Sequence, residues 1–566
     1  MCGIFCTISL NSQINFWKMY NSLKLSMKKR GPDAHNEILL NHDAGLIFFA
    51  GFVLWQQGAN LEKQPVVKND FIILFNGDLY NIQKSVSMSD TTWLANRISE
   101  CYTHEDLVSL VKVLQGPFCL IIYNKRNQML YFARDTLGRN SLIIERHHSG
   151  LNLLSTSRHY VTEQITSIEL PPLGLYQLRV NDLSSCVLYP WQPINEYTGH
   201  LIQVVDLALN WKTEVKKSIS PSWLLSNETP LNYSFYNYEY IDNFKTLCDN
   251  LIIQPQIKIA LDKLDKLLCA SVDARIKSKP PFCSICLKHK SNECRHAKIC
   301  ILFSGGIDCT ILALISHKLL PIEEPIELIN VAFEYNLKTS NLEQAWNVPD
   351  RKTCLKSVDE LKRICPGRCW TLLEVNVTRL ELARILSSHI KNLIYPLQKI
   401  LDESLGCAFW FASHSSSSTS RVAIIGSGAD ELFGGYTRHR NSYIRCHGEE
   451  SIRHNAVKRE LDVDWQRLPA RNLARDDRVI ADNGKTARAP FLEENFVAFV
   501  RSLEPYQKCC FTLPEGIGDK LLLRLYGYRM GLKEVAFFKK KAIQFGSRIA
   551  NKNRNASENS DNLIFT

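Results

Sequence analysis

Short apolar runs separated by turn residues fill the first 180 residues. Examples are FIILF at 71–75, FCLIIY at 118–123, MLYFA at 129–133 and SLIIE at 141–145, with the turn sequences NGD, GP and LGRN between such runs. This pattern is typical of many short strands, and helices are predicted at 12–28 and 90–113. The run LIFFAGFVLW at 46–55 is too short to span a membrane and predicts a buried strand.

The pattern changes in the second half of the chain. Residues 180–250 are rich in Asn, Ser, Tyr and Pro, which predicts an irregular connection. From residue 256, apolar side chains at helical spacing predict an amphipathic helix: Ile257, Leu261, Leu264, Leu268 and Val272. Four strands then alternate with helices or loops, which predicts a parallel sheet covered on both faces: ICILF at 299–303, ELINVAF at 327–333, WTLLEV at 370–375 and VAII at 422–425.

The chain is therefore predicted to contain two folded domains. Residues 2–185 form a strand-rich domain, 186–255 a connector and 256–550 an α/β domain, in which 470–545 are mostly helical. Residues 551–566, NKNRNASENSDNLIFT, have the composition of a disordered tail.

Composition places the chain among globular proteins. Its 566 residues are 45% hydrophobic and 22% charged, and the net charge is 68 − 57 = +11. No basic run or aromatic-arginine repeat indicates a nucleic-acid partner, and no apolar run is long enough for a membrane span. The 19 cysteines are scattered, and MCGIFC does not resemble a signal peptide. We expect a cytoplasmic protein with reduced thiols, and the sequence does not indicate protein partners or an oligomeric state.

A glycine-rich turn follows the first strand of the α/β domain. The strand ICILF runs into SGGIDCT at 304–310 and then into the apolar segment ILALISHKLL. Two glycines allow a sharp turn that presents N–H groups, and a helix N-terminus favours an anion. A plain strand-to-helix turn is the alternative. The position at the carboxyl end of a parallel strand favours phosphate binding, with Ser304 donating to phosphate and Asp308 holding a metal ion. The segment resembles the pyrophosphate loop of the ATP-pyrophosphatase family.

Cys2 follows the initiator methionine. If Met1 is removed, Cys2 carries a thiol nucleophile and a free amino group on one residue. The segments MCGIF, RGPD at 30–33, QP at 64–65, NGDLYN at 76–81, QGPF at 115–118 and ARDTLG at 133–138 occur in the order seen in class II glutamine amidotransferases. This resemblance implies an N-terminal-nucleophile hydrolase-like αββα sandwich. It also implies that Cys2 attacks the glutamine amide, that Asn76 and Gly77 form the oxyanion hole, and that Asp78 and Asp90 bind the glutamine amino group.

Two features of this half depart from the resemblance. The family has an arginine about eleven residues before the QP pair, where it grips the glutamine carboxylate. The corresponding segment here, AGFVLW at 50–55, has no arginine, and SMS precedes Asp90 in place of glycine-serine. The predicted hydrolytic residues are therefore more complete than the predicted glutamine-recognition residues.

Together the two halves resemble glutamine-dependent asparagine synthetase, and more specifically its divergent asparagine synthetase domain-containing branch. GSGADELFGGY at 426–436, NLARDDRVIADNGKTARAPFLE at 472–493 and IQFGSR at 543–548 extend the match. The resemblance implies that aspartate is activated by ATP as β-aspartyl-AMP and that ammonia from glutamine converts it to asparagine. Implied ATP-binding residues are Phe303, Ser304, Gly305, Gly306, Asp308, Val331, Gly426 and Lys541. Asp308 and Asp430 would bind Mg²⁺.

Three substitutions bear on the amide-forming step. Ser427 stands where the synthetases have a glutamate that assists ammonia attack, and loss of a positioned base lowers a rate by roughly 10²–10⁴. Thr486 replaces another glutamate, and Ala542 replaces a lysine, with Lys541 one position away. Three interpretations stay open: an ATP-dependent amide synthesis, an impaired pseudoenzyme or scaffold that retains nucleotide binding, or a hydrolase that only releases ammonia.

A cysteine-rich segment precedes the first α/β strand. In CSICLKHKSNECRH, Cys283, Cys286, Cys294 and His296 have approximately the spacing of zinc ligands. The second gap is short for most zinc folds, so scattered thiols are the favoured interpretation. Any zinc here would be structural.

Overall fold

The protein is described by a computed structural model, which covers residues 1–10, 16–42, 45–148, 150–157, 165–225, 230–238, 243–289, 293–334 and 345–549. The predicted disordered tail, 551–566, lies outside the described residues. None of the helices within these ranges combines the length and the apolar character that crossing a bilayer requires.

Two packed β-sheets form the N-terminal half. The first sheet has the strand order β10-β8-β9-β1-β3-β2 and the second β13-β12-β11-β7-β6-β5-β4, with antiparallel pairs except β12 and β13. The strands are β1 Gly3–Ser9, β2 Ala34–His42, β3 Gly45–Val53, β4 Val66–Lys68, β5 Phe71–Gly77, β6 Phe118–Asn124, β7 Met129–Arg134, β8 Ile143–His147, β9 Gly150–Leu154, β10 Thr166–Glu169, β11 Gly174–Arg179, β12 Asp182–Pro190 and β13 Lys212–Val215.

Alternation along the strands explains the layering. Side chains of one strand point alternately to opposite faces, so β1 contributes Ile4 and Cys6 to the core between the sheets and Phe5 to the outer face. Helix α1 (Phe16–Arg30) covers the first sheet, whereas α2 (Asp90–Ser99) and α3 (His104–Lys112) cover the second. The predicted αββα sandwich is therefore confirmed.

Two predictions for this half need correction. The helix predicted at 90–113 is divided in two, because Thr103 forms a capping box that begins α3. The irregular connection predicted at 180–250 was wrong up to residue 215, since β12, helix α4 (Glu196–Leu209) and β13 lie there. The polar composition of the segment hid the alternation of buried residues in β12, which runs from Cys186 through Leu188 to Pro190. The predicted connector of 186–255 thus contains a strand-helix-strand unit of the sandwich.

A parallel five-stranded sheet organises the C-terminal half, with the order β16-β15-β14-β17-β18. The strands are β14 Ile299–Leu302, β15 Ile326–Phe333, β16 Trp370–Val377, β17 Val422–Ile424 and β18 Thr486–Arg488. The four predicted strands and the parallel sheet are confirmed. The fifth, β18, falls in the segment predicted to be mostly helical, because three residues are too short to show a period.

Helices cover both faces of this sheet. The helices in the described part of this half are α5 Phe244–Ile252, α6 Pro255–Lys277, α7 Ser284–His289, α8 Ile307–Leu319, α9 Pro349–Ile364, α10 Arg379–Ile385, α11 Lys391–Ile394, α12 Ile400–Ser413, α13 Ala429–Phe433, α14 Thr437–Arg445, α15 Glu450–Leu468, α16 Ala474–Ala481, α17 Glu494–Ser502, α18 Leu521–Arg529 and α19 Ile543–Gly546. The predicted amphipathic helix is α6, and its five predicted apolar positions are all buried.

Buried arginine-carboxylate pairs join the two halves. Each pair has one partner in the sandwich and one in the α/β half, and the charged groups are largely removed from water. The pairs are Arg30–Asp477 (3.1 Å), Arg139–Glu494 (2.5 Å), Asp78–Arg488 (2.9 Å), Asp33–Arg421 and Glu169–Arg478. Because an unpaired buried charge is strongly unfavourable, these pairs fix how the halves dock.

Removing one partner tests this interface. Glu494 accepts from the Arg139 guanidinium and from the Gly116 backbone N–H, at 2.8 Å. We expect Glu494→Ala to lower the free energy of unfolding by about 3 kcal/mol, because both buried donors lose their acceptor. Glu100→Ala, which removes the exposed Arg97–Glu100 pair, is the matched control and should change it by less than about 0.5 kcal/mol. Equal urea midpoints for the two variants would contradict a stabilising role for the interface.

Candidate functional site

A large cavity of about 510 Å³ lies at the carboxyl ends of β14, β15 and β17. This is the edge where open parallel sheets bind ligands. Most of the predicted ATP-binding and magnesium residues line it: Phe303, Ser304, Gly306, Asp308, Val331, Gly426, Asp430 and Lys541. Gly305 does not line it but forms the turn beneath.

The turn after β14 depends on glycine. Gly305 has a φ of +80°, and a Cβ there would lie 2.5 Å from the backbone nitrogen of Cys354. The Ser357 hydroxyl donates to the Gly305 carbonyl oxygen at 2.6 Å. Gly306 then precedes the first turn of α8. The loop thus presents the N-terminus of α8 to the cavity, as phosphate binding requires.

A lysine bridges the two predicted magnesium ligands. Lys520 Nζ lies 2.6 Å from Asp308 Oδ2 and 2.6 Å from Asp430 Oδ1, and Lys540 pairs with the other Asp430 oxygen. Burial opposes ionisation, but Lys520 and Lys540 together hold the pKa of Asp430 well below its usual value. The same two carboxylates raise the pKa of Lys520 despite its burial. Sequence reasoning missed both lysines.

The carboxylates fit a hard divalent cation. Asp308 Oδ1 is buried and has no hydrogen-bond partner, although it lies in the wall of the large cavity. Magnesium takes oxygen ligands from one or two carboxylates plus phosphates, so Asp308 and Asp430 provide a suitable donor set. A cation placed there would bind carboxylates that also pair with the Lys520 ammonium.

The IGSGADELF segment forms the opposite wall. Gly428 has a φ of +96°, and a Cβ there would collide with Leu492. Ser427 lines the large cavity, so the substituted position faces the predicted reaction centre. Glu431 also lines it, and burial with the adjacent Asp430 raises its pKa. Its Oε1 accepts from Tyr436, at 2.6 Å, and from Asn472, at 3.1 Å. These two hydrogen bonds fix the orientation of the Glu431 carboxylate.

A second, smaller cavity of about 50 Å³ surrounds the predicted nucleophile. Cys2, Gly77, Asp78 and Asp90 line it, and Asn76 is buried in β5 behind it. The Asn76 Oδ1 atom has no hydrogen-bond partner. Burial raises the pKa of the Cys2 thiol, which Gln64 Nε2 approaches to 3.8 Å. A cavity of this volume holds a few water molecules.

Side chains of the protein itself already engage Asp78 and Asp90. The Gln57 amide Nε2 donates to Asp78 Oδ1 at 2.8 Å and to Asp90 Oδ2 at 2.9 Å. Arg488 binds both Asp78 oxygens, at 2.9 and 3.0 Å, and Lys84 lies 3.0 Å from Asp90 Oδ1. Against the effect of burial, Arg488 holds the pKa of Asp78 below its usual value. Burial raises that of Asp90 although Lys84 opposes it.

One substitution belongs to a different site from the one expected. Thr486 lines the small cavity, where its Oγ1 accepts from the Met1 amino group at 2.8 Å, and it does not line the large cavity. Thr486 was predicted to bear on amide formation, and the location that this prediction implies, the large cavity, was therefore wrong. Ala542 and Ser427 do line the large cavity. The motif order could not reveal this, because β18 contributes to both halves of the protein.

The four predicted zinc ligands also converge. One potential ligand atom from each of Cys283, Cys286, Cys294 and His296 lies within 4.8 Å of the other three. They lie near the amino end of β14, away from the large cavity. The favoured interpretation of scattered thiols was wrong.

Asp350 lines the large cavity and offers a pH-dependent test. Burial raises its pKa to about 7, and Lys541 opposes the shift. The unfolded pKa is about 3.9, so the folded state favours the protonated form and loses stability as pH rises between about 4 and 7. We expect Asp350→Asn to gain stability relative to wild type between pH 5 and pH 8. Thermal unfolding of both proteins at the two pH values measures this.

The control for this experiment is Asp359→Asn, which changes an exposed aspartate on the same helix, α9. Its stability difference from wild type should be the same at both pH values. A pH-independent effect of Asp350→Asn would show that Asp350 is ionised in the folded state throughout this range.

Comparisons with known proteins agree with the two halves. A glutamine amidotransferase domain model matches residues 1–204, and an asparagine synthase model matches residues 295–453. The asparagine synthetase domain-containing protein CG17486 of Drosophila melanogaster is 60% identical over 100% of both chains. Human asparagine synthetase domain-containing protein 1 is 31% identical, over 97% of this chain and 95% of the human one.

A more distant relative carries the synthetase name itself. A putative glutamine-hydrolyzing asparagine synthetase of Methanocaldococcus jannaschii is 27% identical, over 89% of this chain and 80% of its own. The two matched ranges agree with the order of the two halves along the chain. The chain belongs to the family of asparagine synthetase domain-containing proteins.

Proposed function

We propose that this chain is an ATP-dependent ligase that activates a carboxylate, that of aspartate, and converts it to an amide with ammonia. The observation that carries the proposal is the large cavity, in which the SGGID loop meets the Asp308–Lys520–Asp430 cluster. The cavity combines backbone N–H groups that can bind an anion, a cation site and buried lysines. This combination suits a nucleoside triphosphate. The proposal includes the residue roles that the family resemblance implies.

The reaction has two steps. A carboxylate oxygen attacks the α-phosphorus of ATP, the bond to the β-phosphate oxygen breaks, and pyrophosphate leaves. Ammonia then attacks the acyl carbon, loses a proton and expels AMP, giving the amide. Residues 304–306 would hold the pyrophosphate oxygens by backbone N–H groups and the Ser304 hydroxyl. Asp308 and Asp430 would hold Mg²⁺, which neutralises charge on the phosphates when bound.

Position 427 supplies no base for the second step. Ser427 cannot accept a proton at neutral pH without an activating neighbour, and the neighbouring Glu431 accepts hydrogen bonds from Tyr436 and Asn472. We therefore expect adenylation to be efficient relative to amide formation. This supports a second candidate function, a nucleotide-binding pseudoenzyme, which the following experiment separates from the first.

We propose that the protein uses free ammonia as its nitrogen donor more readily than glutamine. Glutamine needs room for its side chain and a free anionic site for its amino group. With Met1 in place as part of its lining, the small cavity holds about 50 Å³, and Gln57, Arg488 and Lys84 engage the two carboxylates. Glutamine could use the site only after Gln57 moves aside, since its amide group occupies the position between Asp78 and Asp90.

Pyrophosphate and amide production test the ligase half directly. Purified protein is given ATP, Mg²⁺, aspartate and ammonium, with Ser427→Glu and Ser427→Gln as a matched pair. Glutamine has nearly the size of glutamate but is not a base. We expect aspartate-dependent pyrophosphate release by all three, and amide formation faster by roughly 10²-fold or more in Ser427→Glu alone.

Other outcomes separate the candidates. Nucleotide binding without pyrophosphate release by any of the three would support the pseudoenzyme. Pyrophosphate release that does not depend on aspartate would exclude aspartate as the acceptor. Asp430→Asn should abolish release, and full activity in that variant would contradict the proposed cation site.

Glutamine hydrolysis tests the second half. We expect Gln57→Ala to raise the rate of glutamine hydrolysis by about tenfold, because the variant removes a competitor whose two hydrogen bonds have a net worth of about 1.4 kcal/mol. Gln56→Ala is the matched control, since Gln56 lines the same small cavity but donates to the Arg421 carbonyl oxygen at 3.2 Å. Glutamate release should disappear when Cys2→Ala is added. Equal rates in the Gln57 and Gln56 variants would show that Gln57 does not block the site.

A further inference from the structure

The segment between α6 and β14 brings four soft ligands to one point. Cys283 and Cys286 stand before and within α7, and Cys294 and His296 lie directly before β14. Residues 290–292, between the two pairs, lie outside the described residues. The two cysteines of the first pair are buried, Cys294 is half-buried and His296 is exposed, so the cluster opens to solvent at one side.

The distances fit one tetrahedral metal ion. Zinc lies about 2.3 Å from a thiolate sulfur and about 2.0–2.1 Å from an imidazole nitrogen, so a tetrahedral site separates sulfur from nitrogen by about 3.6 Å. His296 Nδ1 lies 3.6 Å from Cys283 Sγ and 3.3 Å from Cys286 Sγ. No ligand atom is more than 4.8 Å from another. These separations allow all four atoms to bind one ion after small side-chain movements.

Backbone hydrogen bonds support the sulfur atoms as thiolates. The Cys286 N–H donates to Cys283 Sγ at 3.3 Å, and the Cys283 N–H donates to Cys294 Sγ at 3.4 Å. Such outer contacts orient and stabilise metal-bound sulfur. We propose that Cys283, Cys286, Cys294 and His296 bind one structural zinc ion. Three thiols lose their protons on binding, and neutral His296 supplies the fourth ligand.

The ligand set and the position argue for zinc in a structural role. Three sulfurs and one nitrogen in a tetrahedral arrangement favour zinc over magnesium or calcium, which prefer oxygen. Four protein ligands also leave no open coordination position for a substrate. The cluster precedes the amino end of β14, whereas the large cavity is at its carboxyl end, and four strand residues span roughly 13 Å. The ion therefore does not reach the reaction centre.

The proposed zinc site lies at the start of β14 and is joined to the start of β17, its neighbour in the sheet. The Ser284 N–H, between the first two ligands, donates to the Thr419 carbonyl oxygen at 2.9 Å. The Thr419 hydroxyl donates to the Ala297 carbonyl oxygen, also at 2.9 Å. The Lys298 carbonyl oxygen accepts from the Val422 N–H at 3.3 Å. The zinc segment is thereby joined to the chain entering β17, and β14 and β17 end in the two loops of the large cavity.

Metal content of the full-length protein tests the proposal without any assay of activity. Protein purified under reducing conditions without a metal-affinity step should contain about one zinc per chain by elemental analysis. The rim variants Cys294→Ser and His296→Asn should each lose at least about tenfold in zinc affinity against a competing chelator. Cys369→Ser, at an exposed cysteine outside the cluster, is the matched control and should bind zinc like wild type.

Cobalt substitution gives a second measurement that does not depend on the variants folding. Co²⁺ added to zinc-free wild-type protein should give the intense visible absorption of a tetrahedral thiolate site, and zinc should remove it. Zinc below about a tenth of an equivalent in wild type, together with no tetrahedral cobalt spectrum, would overturn the proposal. Zinc retained with unchanged affinity in both rim variants would place the ion elsewhere.

Discussion

The buried arginine-carboxylate pairs between the two halves are the constraint on which both sites depend. Each pair has one residue in the sandwich and the other in the α/β half. Separating the halves would therefore leave these buried charges without their partners. Asp78–Arg488 is the most informative pair. Asp78 belongs to the small cavity, while Arg488 ends β18 in the sheet that carries the large cavity. The Asp78–Arg488 pair therefore contributes to the docking of the halves and also neutralises a carboxylate of the small cavity.

This contact also connects the two cavities through the backbone. The Ile425 N–H donates to the Arg488 carbonyl oxygen at 2.9 Å, and Ile425 lines the large cavity next to Gly426 and Ser427. The Arg488 side chain meanwhile donates to the carbonyl oxygens of Arg275 and Ser278 at the end of α6. A single residue thus contacts the small cavity, the wall of the large cavity and the helix that leads to the proposed zinc segment.

The two cavities differ in how completely their charged groups are paired with other groups of the protein. In the small one, the anionic groups are matched by Gln57, Arg488 and Lys84, which leaves little attraction for a further ammonium group. In the large one, Asp308 Oδ1 is still without a partner and three consecutive lysines, 539–541, line the wall. Favourable potential for a polyanion and a cation therefore remains in the large cavity, which is why the proposed chemistry is centred there.

Local patterns in the sequence determined the strand-rich first half, the parallel sheet and the SGGID turn, whereas the αββα sandwich and most predicted residues of the large cavity followed from the family resemblance of the motifs. Strand alternation, the SGGID turn and the apolar spacing of α6 each lie within about twenty residues. Only the tertiary structure showed that Lys520 bridges Asp308 and Asp430, that Thr486 belongs to the small cavity and that Gln57 engages Asp78. Such contacts join residues far apart in the chain, and their partners follow from how elements pack, which neither spacing nor composition contains.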